Sequence, residues 1–316
     1  MRKNDSLYQQ LFAELPKHRI YFDYEMRSFS TFNVGGKADI LFLPESISEI
    51  KEALAICRNN SIPFQVLGRG SNILISDRGI RGLTIYLGRN FIRVSHEDNH
   101  IRAQAGASLA AVTALAAKNN LTGLEFSVGI PGSIGGAVLM NASAYDSEIK
   151  NVVISSSYLT PQDEIITLNG DEHQFDYRTS IYQKIPGIIL EADFALKEGK
   201  RLEIYEKIQE FQIKRRESQP IDKYSAGSAF KRPTDNYASK LIADAGLKGY
   251  RAMNTGVSEK HAGFIINYGG ASASDINRVF AHVKSVVETK FGISLQPEVK
   301  WIGDWPEEEI QWKCLQ

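Results

Sequence analysis

Two hydrophobic periods alternate along the chain, and they predict its elements. A helix is expected from Asp5 or Ser6 to Leu15, stopped by Pro16. The run ADILFLP reads as a strand, and Ser46 with Glu49 three residues on is a capping box. In the helix that follows, Ile47, Ile50, Leu54 and Cys57 share one face, and FQVLG reads as a buried strand, giving a strand–helix–strand start. ILIS, LTIYL, FIRVS and HIRAQAG are short strands broken by Gly, Asp and Asn. Ser108 to Asn119 predicts an Ala-rich helix, Gly129 to Ala144 a loop and turn region, and VVISSSYLT, EIITL and GIILEADFAL three further strands. A charged helix is expected over Arg201 to Glu217, another near Tyr237 to Ala245, then the strand GFIIN. The final helix, from Ser274, carries Ile276, Val279, Phe280, Val283, Val286, Val287 and Phe291 on one stripe, which predicts core. PEVKWIG is the last strand, ahead of an acidic tail from Asp304. No internal repeat or low-complexity linker separates these segments, so the domains must pack tightly.

With 316 residues, the chain has room for two domains or three small ones. Apolar residues at 43% and charged residues at 23% exclude a disordered or fibrous chain. Lys plus Arg equals Asp plus Glu at 37 each, which argues against a nucleic-acid binder. Two cysteines, Cys57 and Cys314, suit a reducing compartment and cannot build a four-thiolate metal site. Neither an export leader nor a spanning helix is read. The most apolar long stretch, Val128 to Ala144, is interrupted by four glycines, a proline and an asparagine. A cytoplasmic location is therefore expected, with no membrane and no obligate protein partner. The six histidines are dispersed, without metal-ligand spacing, so no metal is expected.

Four segments carry candidate chemistry. Gly68-Arg69-Gly70-Ser71-Asn72 follows a strand, where glycines let N–H groups approach phosphate oxygens and Ser71 and Asn72 add donors. It matches neither the dinucleotide fingerprint nor a Walker loop, and such a pattern alone is more often an ordinary turn. Gly129-Ile130-Pro131-Gly132-Ser133-Ile134-Gly135-Gly136-Ala137 has four glycines in eight residues, suited to a loop wrapped round a pyrophosphate or to a tight buried turn. Arg178 beside Tyr177 can grip a carboxylate or phosphate two-pronged, although a solvated arginine fits the same letters. In SAGSAFKRP, small residues surround Ser228, with Lys231 and Arg232 following. The nucleophile elbow is missing, which disfavours a hydrolase and leaves Ser228 as a proton donor or as part of a plain strand end. Glu298, alone in PEVKW, reads locally as a solvated charge.

Taken in order, STFNVGGKAD, VLGRGSNIL, GLEFSVGIPGSIGGAVLMNASAY, YRTSIY, SAGSAFKRP, LIADAGLKGYRAMNTGVSEKHAGFIIN and LQPEVKWIG resemble the UDP-N-acetylenolpyruvoylglucosamine reductase family, from about Ser30 to Gly303. The resemblance implies an α+β flavoprotein of three domains, two forming an FAD-binding module of the vanillyl-alcohol-oxidase type and one small α+β domain for substrate. The implied boundaries are 1–91, 92–210 with the strand 297–303 added, and 211–296, with a tail at 304–316. It implies NADPH-dependent reduction of an enolpyruvyl UDP-sugar through FAD, in peptidoglycan precursor synthesis. FAD would lie on Gly68, Arg69, Gly70, Ser71 and Asn72 in the first loop. In the second it would lie on Gly129, Ile130, Pro131, Gly132, Ser133, Gly135, Gly136 and Ala137. Arg178 falls on the family's catalytic arginine, Ser228 on its proton-donating serine and Glu298 on its catalytic glutamate, while Tyr177, Lys231, Arg232, Lys260 and His261 are implied substrate contacts. With Arg178 and Ser228 only 50 positions apart, the chain resembles the shorter branch, without an inserted tyrosine loop. Arg232 stands where many relatives carry Asn. Two other classes stay open: a flavin oxidoreductase of the same fold acting on another sugar or alcohol, and a binding protein without catalysis.

Overall fold

The computed structural model describes residues 5–309; Cys314 and the end of the acidic tail lie outside the described residues. The first region builds a four-stranded sheet in the spatial order Ile20–Glu25, Lys37–Phe42, Ile80–Tyr86, Phe64–Leu67. Its first pair is antiparallel and the others parallel, so Lys37–Phe42 and Phe64–Leu67 need a crossover. The helix Ile47–Asn59 supplies it and buries Ile50, Ala53, Leu54 and Cys57. Only half of the expected capping box forms. Ser46 Oγ accepts the Glu49 N–H at 3.2 Å, but the Glu49 carboxylate takes Arg19 and the Glu45 N–H instead. The first helix is shorter than expected, Asp5–Leu11, because Phe12 and Leu15 turn into the core as a non-helical wrap.

The second region is a five-stranded antiparallel sheet, ordered Ile165–Asn169, Val153–Leu159, Ile188–Ala195, His100–Gln104, Val94–Glu97. Ile188–Ala195 alternates strictly between buried and half-buried positions, the two-residue period of a half-covered sheet. The helix Leu109–Lys118, capped by Ser108, packs on it. Within the expected loop at 129–144 the chain instead forms a short helix, Ile134–Leu139, capped by Ser133.

The long helix Arg201–Ser218 runs unbroken across the boundary expected at 210/211. Beyond it, the strands Arg251–Ala252, Thr255–Val257 and Ile265–Asn267 form an antiparallel sheet under the helix Ala273–Phe291. That helix starts one residue early, because Ser272 and Asp275 make a capping box. The Asp77 carboxylate, from the first region, also accepts the Ala273 and Ser274 N–H groups. Of the expected stripe, Ile276, Val279, Phe280, Val283 and Val287 are buried. Phe291 is 36% exposed, since the helix ends there on Gly292 in a left-handed cap.

The strand Lys300–Ile302 corrects one expectation. It pairs in parallel with Ile73–Ile75, directly after the first glycine-rich loop, and does not join the five-stranded sheet. Trp305 of the tail follows it into the core and donates to the Ile302 carbonyl. No helix among the described residues is long and apolar enough to cross a membrane, and no three His, Cys, Asp or Glu side chains there cluster as metal ligands.

Candidate active site

The two glycine-rich segments meet. A methyl group at Gly68 would lie 2.2 Å from Ser133 Oγ, and one at Gly132 would lie 3.9 Å from Ser71 Oγ. Gly70, at φ +66°, passes so close to the Phe29 carbonyl that no side chain fits there. Among the described residues, the N–H groups of Arg69, Gly70, Ser71, Gly132 and Ser133 find no acceptor. Clustered donors without partners on a glycine cradle are what an anionic diphosphate requires, so the residues present fit FAD. Four other N–H groups expected to face a ligand are spent within the protein. Ile130 donates to the Ser127 carbonyl, Gly135 to the Ala105 carbonyl, Gly136 to Ser133 Oγ, and Ala137 to the Ser133 carbonyl. Gly135 is needed for packing on Ala105, and Gly129 for passage over Arg215 of the long helix. Ala137 is core, and the Asn72 side chain holds the Glu298 carbonyl at 3.1 Å. Gly68→Ala should displace the Ser133 hydroxyl from its cap. The expected result is a loss of about 1 kcal/mol of stability and a lower flavin-to-protein absorbance ratio after gel filtration. An unchanged ratio would count against this pairing of the loops as the flavin cradle.

Beside the cradle, Arg178 sits in a tight turn in which Asp176 and Thr179 exchange backbone hydrogen bonds. Its φ is +53°, a left-handed conformation that costs a side-chain-bearing residue on the order of 1 kcal/mol or more. Arg178 Nη1 donates to Ser143 Oγ at 2.8 Å, and Nε lies 2.7 Å from Glu298 Oε1. The Nε–H is not aimed along that line, leaving this buried donor open to an acceptor from another direction. Glu298 is 9% exposed, not the solvated charge its local sequence suggests. Burial pushes its carboxyl above the usual range, against the opposing pull of Arg178 and Lys231. Its backbone N–H donates to the Ala229 carbonyl at 2.9 Å, next to Ser228.

Ser228 is half-buried, bridged by its backbone to Phe264, and its hydroxyl bonds to no described residue. Lys231 N–H donates to Gln296 beside this strand, and Arg232 N–H donates to Tyr177 Oη at 3.2 Å. The Arg232 guanidinium lies over the Tyr237 ring at 4.1 Å. His261 is half-buried. Its Nδ1 accepts the Gly263 N–H, and burial, with Lys248 nearby, lowers its pKa. Gly263 in turn accepts from Ala229, so the His261 turn backs the serine segment. Lys260 is exposed and its ammonium donates to the Arg216 carbonyl. Arg178 and Glu298 thus meet directly from distant segments, the segment of Ser228 joins Glu298 through the Ala229 carbonyl, and Asn72 of the glycine cradle holds the Glu298 carbonyl. Sequence reasoning missed Ser143 and Gln183; the motif YRTSIY stops one residue short of the latter.

Fold and site together define an FAD-dependent oxidoreductase. The FAD binding domain model matches residues 38–169, and the model of the UDP-N-acetylenolpyruvoylglucosamine reductase C-terminal domain matches 219–302. The UDP-N-acetylenolpyruvoylglucosamine reductase of Alkaliphilus metalliredigens is 41% identical over 95% of this chain and 99% of that protein. The protein of the same name from Caldanaerobacter subterraneus is 44% identical over 92% of this chain and 96% of its own. The crystal structure of UDP-N-acetylenolpyruvylglucosamine reductase from Thermus caldophilus superposes with a TM-score of 0.76 at 31% identity, covering 91% of this chain and 98% of that one. The chain belongs to the UDP-N-acetylenolpyruvoylglucosamine reductase family, whose members carry FAD and use NADPH as reductant. The expected α+β fold with an FAD-binding module is the one found.

Proposed function

We propose that this chain reduces the enolpyruvyl ether of UDP-N-acetylglucosamine enolpyruvate to the lactyl ether, giving UDP-N-acetylmuramate for peptidoglycan in the cytoplasm. The observation that carries the reading is half-buried Arg178 paired with buried Glu298 at 2.7 Å, one backbone hydrogen bond from Ala229, the neighbour of Ser228. Residues 68–72 and 129–133 would hold FAD, which, when bound and reduced by NADPH, would provide the hydride needed at the terminal methylene carbon. Arg178, permanently charged and fork-shaped, grips the substrate carboxylate. Glu298, whose carboxyl burial pushes toward the protonated form against the pull of Arg178, donates to the same carboxylate while protonated, so both groups stabilise the enolate-like charge that develops there. Ser228 then protonates the carbon next to the carboxylate, which balances one hydride with one proton. Tyr177, Lys231, Arg232, Lys260 and His261 surround this centre as contacts for the sugar nucleotide, with the cations matched to its diphosphate.

The purified protein should be yellow and should oxidise NADPH steadily only when the enolpyruvyl UDP-sugar is present, read at 340 nm. Steady turnover with an alcohol or a sugar lacking UDP would favour the broader flavin oxidase reading instead.

A further inference from the structure

We propose that Gln183 is a positioning residue that holds Arg178 in its left-handed turn and ties it to the strand of Glu298. This deepens the function proposed above and rests on it. The Gln183 side-chain amide donates to the Arg178 carbonyl at 2.9 Å and to the Leu139 carbonyl at 3.0 Å. Its Oε1 accepts from Lys300 Nζ at 3.4 Å. One side chain therefore touches three pieces of the site: the Arg178 turn, the end of the short helix that Ser133 caps, and the strand two residues beyond Glu298. Ser180 Oγ adds a second bond to the Leu139 carbonyl, at 2.8 Å, so the chain leaving the strained residue is fastened twice to the end of that helix.

The requirement is physical. A residue with a side chain at positive φ relaxes toward the ordinary regions unless its surroundings hold it. The Arg178 carbonyl is the group that swings when the turn relaxes, and Gln183 is the side chain that holds it. A shift of about 1 Å in the guanidinium is enough to cost roughly 10²-fold in the step that uses it. Gln183 touches neither substrate nor flavin in this scheme and acts through Arg178.

The experiment compares Gln183→Met, Arg178→Ala and the double variant as flavin-loaded enzymes, with the two half-reactions followed separately by flavin absorbance. Gln183→Met is expected to slow reoxidation by the enolpyruvyl nucleotide about 10- to 100-fold, to leave reduction by NADPH unchanged, and to add nothing further in the Arg178→Ala background. Gln183→Glu keeps the acceptor for Lys300 Nζ but has no donor for the two carbonyls, so it should be as slow as Gln183→Met, and it also serves if the methionine variant does not fold. Parent-like reoxidation in Gln183→Met or Gln183→Glu, or a full additional loss in the double variant, overturns the inference. If Arg178→Ala itself reoxidises normally, the proposed function fails, a different outcome from the failure of Gln183 alone.

Discussion

Replacing Ser228 by alanine is expected to slow reoxidation of the flavin by the enolpyruvyl nucleotide by roughly 10²–10⁴-fold, the usual share of a general acid. NADPH should still bleach the flavin within about twofold of the parent rate, because hydride capture makes no use of this hydroxyl. The split follows from position. Ser228 sits at a strand end with its backbone fixed by Phe264 and its neighbour Ala229 bonded to Gly263 and Glu298. Losing one oxygen removes a proton source and no structural bond, so a Tm close to the parent's should accompany the defect. Stopped-flow absorbance on the two half-reactions gives the answer, and intact reoxidation would remove Ser228 from the mechanism. Arg178→Lys belongs to the same measurement, since an ammonium cannot reach Ser143 and a carboxylate together.

The second large effect concerns Glu298. Its carboxyl acts as a donor only while protonated, and burial raises its folded-state pKa above the ordinary carboxylate value. The rate of the second half-reaction should therefore be highest at low pH and fall as pH rises through that raised value. Glu298→Gln keeps a neutral donor and should flatten this limb, whereas Glu298→Ala should cost about 10²–10³-fold at every pH. Removing the Arg178 charge takes away a force that favours the carboxylate, so in Arg178→Met the limb should move to higher pH. Stability follows the same sign. A raised folded-state pKa contributes stability that is present below the unfolded value and lost as pH rises through the folded one. The Tm difference between the parent and Glu298→Gln should thus drift against the parent on going alkaline. A pH-independent parent rate across that window would show that the glutamate proton is not used.

Periodicity and capping letters were enough to find most helices and strands, because those signals are local. Ser46, Ser108 and Ser272 cap where a serine before an apolar run should. The short helix Ile134–Leu139 was hidden by Gly135 and Gly136, which weaken helix propensity; Ser133 and packing on Ala105 override that weakness. Glu298 carries no local mark of burial. Its environment is made by Ala229, Asn72 and Arg178, none of which is near it in sequence. The same reason hid Gln183: a glutamine gains meaning only from the carbonyls it reaches. The glycines of the second loop were visible as a group, but their separate duties, against Arg215, Ala105 or a ligand, depend on three-dimensional neighbours.

The parallel pairing of Lys300–Ile302 with Ile73–Ile75 also bears on how the molecule comes into being. Asn72 and Glu298, joined side chain to backbone, are 226 positions apart. Translation delivers the flavin cradle long before it delivers the glutamate, and closing so wide a loop carries an entropic penalty that nearby contacts do not. On the roles proposed above, a nascent chain thus carries the glycine segments of the cradle before the glutamate, and reductive competence arrives as one of the last acts of assembly.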